Sequence, residues 1–245
     1  MSFLKGDNGC SYTRRRRIGE RAVMIDIPGI GWITAKEYGC VAQNISRTLP
    51  PMKSIHGQLS NEGIFLYPVK YFGRFDAVSK MTCCAIALAL HDAGLVYSED
   101  RKQDMGIVGT NERGSLESNI SYFQDYVESG RTLARGNLFL YTLSSSPLAE
   151  AAIYFGCQGP VLYLGFQRQD ISSLLSCAGH MLCSEGVSGM LAVAADEEEA
   201  VCFCMQPKEA DPMRRGFGFE NIKDIVEKTT NINQVIDRAR WLSRS

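Results

Sequence analysis

Val161 to Leu164 form a short apolar run that follows Gly159-Pro160 and stops at the polar stretch Gln167 to Asp170. A run of that length between punctuating residues predicts a buried strand. Ile171, Leu174, Leu175, Ala178 and Leu182 then recur at helical spacing, and Met190 to Ala195 form a second strand-length run. The pattern predicts two strands around one helix in the βαβ sense. Upstream, Val23 to Ile27 predicts a strand running into a turn at Gly29 and Gly31. Val78, Met81, Ala85, Leu88 and Ala89 share one helical face, with Asp76 as N-cap and Gly94 as stop. Met105 to Val108 predicts a further strand closed by Gly109-Thr110, and Ile120, Phe123 and Val127 are expected to face inward on the next helix. Pro147 suits the first turn of a helix through Phe155, with Gly156 just past its end. An acidic turn, Asp196 to Glu199, leads to a strand over Val201 to Met205. Residues 36 to 70, broken by Pro50-Pro51 and Gly57, read as an irregular surface excursion, and Gln206 to Arg215 as the end of the core. Ile222, Ile225, Val226, Ile232, Val235, Ile236 and Trp241 predict an amphipathic helix or pair of helices that must pack on something.

The chain has 245 residues, 45% of them hydrophobic and 22% charged, with a net charge of -1. That is an ordinary globular composition with room for a large core, without the basic excess expected of a nucleic-acid binder. No apolar run approaches the roughly 18 residues that span a bilayer. Nine cysteines are an odd number, mostly in apolar contexts, which points to free core thiols and a reducing cytoplasm. Cys202-Phe203-Cys204 lacks the second ligand pair of a zinc site, so no metal is expected. Gly29 and Gly31 lack the third glycine of a dinucleotide fingerprint. Arg14 to Arg17 are either a solvated arm or a contact for phosphopantetheine, an acidic carrier protein or nucleic acid, since guanidinium forks match phosphate and carboxylate.

Five segments in order, from about Val23 to Met205, resemble the β-ketoacyl synthases of the thiolase-like superfamily. They are the opening strand with Gly29-Ile30-Gly31, the helix Phe75-Asp76…Asp92-Ala93-Gly94-Leu95, the strand ending Gly109-Thr110, the segment Leu138 to Phe155, and the Gly159-Pro160 strand before a buried helix. The resemblance implies an α/β fold: one thiolase-like half, a five-stranded mixed sheet with helices on both faces. The expected divisions are a basic arm over 1–20, a ketosynthase N-terminal-like domain over 21–206 and a helical tail over 207–245.

The family's cysteine nucleophile falls on Arg168, flanked by Gln167 and Gln169. Its two histidines belong to a second half with no counterpart here. His91 and His180 lie in helical patterns, and Cys177 lies more than two turns beyond Arg168. Condensation needs an activated thiolate and histidines for decarboxylation, so the resemblance implies no catalytic residue, no cofactor and no metal. Within the family it is most similar to the shortened chain-length factors of type II polyketide synthases that make reduced polyenes, such as aryl polyene pigments. These pair with an active ketosynthase and, transiently, with phosphopantetheine-bearing acyl carrier protein, for which Arg14, Arg15, Arg16 and Arg17 are the expected contact. A single half leaves one helical layer uncovered, so an obligate interface is expected. By the same resemblance Thr110, Asn111, Glu112, Ser115, Asn119, Leu138, Phe139 and Thr142, with Leu162, Leu164 and Phe166 on the strand, form the floor of the partner's acyl tunnel or the interface. Helix-cap and surface roles are the alternative for Asn111, Glu112, Ser115 and Asn119. Other readings are a stand-alone acyltransferase or malonyl decarboxylase using Cys177 or a glutamine-bearing pocket, and a scaffold that recruits carrier protein through Arg14 to Arg17.

Overall fold

The computed structural model describes residues 24–132, 135–165, 170–208, 216–229 and 231–243. Arg14 to Arg17 and Phe166 to Gln169 lie outside the described residues. The strands are β1 (Ile25–Ile33), β2 (Glu37–Cys40), β3 (Ile45–Thr48), β4 (Met105–Asn111), β5 (Val161–Gly165), β6 (Gly189–Ala195), β7 (Ala200–Pro207) and β8 (Phe217–Gly218). The helices are α1 (Ile55–Asn61), α2 (Ala77–Asp92), α3 (Leu116–Glu128), α4 (Gly136–Leu140), α5 (Ser146–Phe155), α6 (Ile171–Glu185), α7 (Phe219–Glu227) and α8 (Ile232–Leu242). The strands form one mixed sheet in the order β3-β2-β1-β7-β6-β4-β5, with β8 added to β1. β4 pairs in parallel with both β5 and β6, and the other pairings are antiparallel. The expected five strands become eight because β2 and β3 form inside the stretch read as irregular, and β8 lies beyond the stretch read as the end of the core.

The alternation of side chains along each strand divides the interior into two cores. Leu191, Val193, Cys202 and Cys204 face a core built with α1, α2 and α5, while Met190, Ala192, Val201 and Phe203 face a core built with α6, α7 and α8. The α6 side is therefore not left bare, as a lone half was expected to be. Ile222, Val226, Ile232, Val235, Ile236 and Ala239 from the last two helices bury there beside Leu174, Leu175, Ala178 and Leu182.

β1 continues through Gly29 and Gly31 instead of turning at them, with a register shift against β7 between Asp26 and Gly29. A Cβ at Gly31 would lie 2.5 Å from the Ala85 carbonyl oxygen, and one at Gly29 would lie 2.5 Å from the Ala93 nitrogen. The glycines, with Ala85 and Ala89 opposite, let α2 lie almost on the strand backbone. The end of α2 is tied to the same place by Asp92, whose buried carboxylate accepts N–H bonds from Ile30 (2.8 Å), Ala42 (2.9 Å) and Gln43 (2.9 Å). In Asp92→Asn an amide N–H₂ would be turned against backbone donors. A loss of about 2 kcal/mol is expected, read as a lower denaturant midpoint at unchanged slope.

Above α2 and α5, His56 stacks between Phe65 and Phe72 with ring centroids 5.4 and 5.2 Å away, and its Nε2 accepts the Val69 N–H at 3.0 Å. Burial holds this imidazole below its usual value of about 6.5. The folded state therefore binds the proton less readily than the unfolded chain. Its stability is full above about pH 6.5 and is lost as pH falls through the lowered folded value. His56→Gln, which keeps an acceptor without titrating, is expected to flatten that part of a stability profile measured by denaturant midpoint against pH.

Candidate functional site

β5 is the last strand of its sheet, and among the described residues it pairs only with β4. Its side chains are poorly covered: Val161 is 41% and Leu162 38% exposed. Next to it, α3 leaves the C-terminal end of β4. Ile120, Phe123 and Val127, expected to face inward, are instead exposed together with Leu116, and α3 buries none of its residues. The sequence periodicity correctly marks an apolar face. None of the described residues covers that face: α3 contacts chiefly the short α4, whose Phe139 and Leu140 are themselves exposed.

Polar side chains hold the base of α3 to the sheet. Thr110, buried at the end of β4, donates its Oγ1–H to the Leu164 carbonyl at 2.8 Å. Asn111, also buried, donates from Nδ2 to the Gly114 carbonyl at 3.1 Å and accepts the Tyr163 hydroxyl at 3.1 Å. The Ser115 hydroxyl donates to the Thr142 carbonyl at 2.6 Å, and Asn119 Nδ2 donates to both the Ser115 carbonyl and Oγ at 2.8 Å. Thr142 in turn donates to the Phe139 carbonyl at 2.7 Å. Thr110, Asn111, Ser115, Asn119 and Thr142 are thus gathered where β4, α3 and the segment before α5 meet. Glu112 points elsewhere: its backbone N–H reaches Asp196 Oδ1 at 3.2 Å on the acidic turn. Leu164 packs on the α6 side of the sheet, and Phe139 stands at the surface with its ring 5.7 Å from that of Tyr122.

A cleft of about 330 Å³ opens between the start of α2 and the α3–α4 pair. Ser115 and Leu138, both expected near an acyl chain, line it with Phe75, Val78 and Tyr141. Asp76 supports it from two sides: Oδ1 accepts the Ser79 N–H at 2.8 Å as the N-cap of α2, and Oδ2 accepts the Ser118 hydroxyl at 2.9 Å from α3. Burial raises the Tyr141 phenol and the neighbouring Glu150 carboxyl above their ordinary values. Tyr141, Tyr163, Ser144 and Ser118 were not singled out from the sequence. Tyr163 sits inside an apolar run, where its hydroxyl was the one available signal.

Cys177 is packed against the α6-side core, and no hydrogen bond joins it to a base among the described residues. Nor does any group of three or more His, Cys, Asp and Glu side chains suit a metal ion among the described residues. No described helix is long and apolar enough to cross a membrane.

No family model matches the chain, and no curated protein matches it. Solved structures do. A β-ketoacyl synthase from Burkholderia phymatum STM815 aligns with a TM-score of 0.55 at 17% identity, over 76% of this chain and 59% of that one. The ishigamide ketosynthase/chain length factor aligns with a TM-score of 0.54 at 13% identity, over 77% and 63%. A type II PKS acyl-carrier protein complex with its ketosynthase, AntDE:AntF, gives 0.50 at 11% identity, over 75% and 58%. The chain spans about three fifths of the length of these structures. Its mixed sheet, flanked by helices on both faces, is an α/β fold similar to that of these ketosynthase structures.

Proposed function

We propose that the chain is a non-catalytic, chain-length-factor-like subunit that pairs with a full-length β-ketoacyl synthase and shapes its acyl tunnel. The observation that carries this reading is the contrast between the two edges of the sheet. β3 is four residues long, carries Arg47 and is followed by Pro50-Pro51, all devices that discourage strand addition. β5 is also short and follows Pro160, but its five residues, Val161 to Gly165, carry no charge. Among the described residues its outer backbone groups are open, with Val161 and Leu162 partly exposed, as expected of a surface that spends its working life against another sheet.

The division of chemistry follows from the residues present. Where the resembling family places its thiol, residues 166 to 169 read Phe-Gln-Arg-Gln, and no cysteine occurs between Gln158 and Ser176. The acyl chain would be carried and extended on the partner's thiolate, while the group from Thr110 to Asn119 and the cleft beside it would bound the space into which the chain grows. An acyl carrier protein is then a transient partner, consistent with the carrier–ketosynthase complex among the structural relatives. Arg14 to Arg17 remain the proposed contact for its acidic surface and phosphopantetheine. The product class proposed is a reduced polyene.

Co-expression with a tagged full-length β-ketoacyl synthase tests the reading. The expected result is a stable hetero-oligomer that elongates a carrier-bound acyl chain, with neither subunit giving that product distribution alone. A synthase that ignores this chain, or a product distribution that does not change on adding it, would overturn the proposal.

A further inference from the structure

We infer that β8, α7 and α8 are this chain's own replacement for a second layer, and that the face they finish takes no protein partner, so that a synthase joins only at the β5 and α3 side. The cover stands without any synthase; the one-sided pairing rests on the reading above. Five strands, β5, β4, β6, β7 and β1, lie side by side. They span about 19 Å, and one helix about 10 Å wide covers half of that. α6 lies chiefly over β6 and β4, which leaves Ile27, Ile30 and Trp32 of β1, with Val201 and Phe203 of β7, for something else to cover. The last three elements lie beyond the segments that carry the family resemblance, yet they fill this place. β8 pairs with Asp26 and Ile27, α7 lies against α6 and β1, and α8 lies against α7 and β7. Arg240 of α8 sets its guanidinium 5.7 Å from the centre of the buried Trp32 ring.

A fitted cover differs in two ways from a tail that merely rests on the sheet. The first is Gly179, in the interior of α6, where glycine weakens a helix. A Cβ there would lie 3.4 Å from Phe219 Cζ at the start of α7 and 3.3 Å from Ile25 Cδ1 of β1. α6 thus gives up a side chain where the tail seats. Polar ties hold the same joint: the Ser172 hydroxyl of α6 donates to Glu227 of α7 at 3.4 Å, and Asn233 of α8 donates to Glu199 at 3.0 Å. The second is what remains outside. α6 turns Ser176, His180 and Cys183 to water, and α8 turns Asp237 and Arg238. Among the described residues of α6, α7 and α8, Trp241 is the one large apolar side chain that is exposed. α3 and β5 show the opposite, and it is contiguous exposed apolar surface that marks a docking site.

A double-mutant cycle on the full chain tests the fit. Gly179→Leu improves helix propensity, so a loss of stability in it comes from the tail. Phe219→Ala makes room, and the folding equilibrium constant of the pair is expected to exceed the sum of the two single losses by about tenfold. Strictly additive losses would overturn the fit. Trp32 reports the cover, since Trp241→Phe leaves it as the remaining one of two tryptophans. In that background its emission is expected to be that of a shielded indole. Ile236→Ala, within α8, should move the emission to the red, raise its quenching by acrylamide and lower the melting temperature by about 5 to 15 °C. An indole already open to acrylamide, or one that Ile236→Ala leaves unchanged, would sink the inference. With a co-expressed synthase, Ser176→Arg on α6 and Asp237→Arg on α8 are expected to leave the complex intact. Its loss in either variant, with the lone chain still folded, would show that this face is used. A synthase that ignores the wild-type chain counts instead against the proposed function, and the two measurements on the lone chain then decide the cover.

Discussion

Leu162→Arg is expected to abolish the proposed complex with a β-ketoacyl synthase while leaving the isolated chain as stable as before. Leu162 is 38% exposed on an edge strand, so arginine there has water to point into, and a surface change of this kind costs within about 0.5 kcal/mol. Against a partner's sheet the same guanidinium would be desolvated without a counter-charge. The penalty for an unpaired charge at an interface, about 2 to 5 kcal/mol, corresponds to roughly thirty- to several-thousand-fold in affinity. Inward-pointing charge is also a means by which natural edge strands refuse partners. Size-exclusion chromatography of the mixed proteins with light scattering gives the stoichiometry, and thermal melts of the lone variant give the control. A variant that still elutes with the synthase at wild-type affinity would move the joint away from β5. Ser46→Arg on the opposite edge is expected to change neither measurement.

Gly31→Ala should have a large effect on folding, although it adds a single methyl group. The new carbon would sit 2.5 Å from the Ala85 carbonyl oxygen and close to the Ala89 amide, both helix backbone that cannot rotate aside. Accommodating it requires α2 to lift from β1, which opens a gap along Ala85, Ala89 and Cys40 and strains the three bonds to Asp92. Overpacking of this kind lies at the upper end of its usual range, about 3 kcal/mol or more, or a fall in melting temperature of about 6 to 12 °C for a chain of this size. Gly57→Ala is the matched control. It lies within α1 with nothing within 4 Å of the added carbon, and gains up to about 1 kcal/mol of helix propensity. If both substitutions proved equally mild, the close seating of α2 on β1 would be wrong.

The segments that the hydrophobic pattern resolves are those whose environment is uniform along their length. β5 and β6 fall within a residue of their expected limits, α6 starts at Ile171 as expected and runs past Leu182 to Glu185, and Asp76, Pro147 and Gly156 occupy the capping positions that their chemistry favours. β2 and β3 escape because four residues, Glu-Tyr-Gly-Cys or Ile-Ser-Arg-Thr, are too few to display a period. Gly29 and Gly31 mislead because local reasoning assigns glycine to turns, whereas here it is the approach of a helix 50 residues further on that requires them. The outward face of α3 shows a different limit: periodicity says that one side is apolar, not what will cover it. Of the site, Asn111, Ser115 and Asn119 were reachable through the resemblance to the ketosynthases. Tyr163 was not, because its partner Asn111 lies 52 residues earlier and only the parallel register of β4 and β5 brings the two together.

The placement of β1 also has a consequence at the ribosome. This strand emerges among the first described residues, yet its long antiparallel neighbour is β7, formed from Ala200–Pro207. At about 5 to 20 residues per second, translation leaves β1 without that neighbour for roughly 8 to 33 seconds. An apolar nine-residue strand waiting so long is a template for mispairing with nascent neighbours on the same message. Pro28, Gly29 and Gly31 interrupt it at three of its nine positions, removing one N–H donor and two side chains from any premature ladder. The glycines that later admit α2 thus also keep the strand from committing itself early, so substitutions there would lower the yield of folded chain during synthesis by more than the equilibrium loss alone.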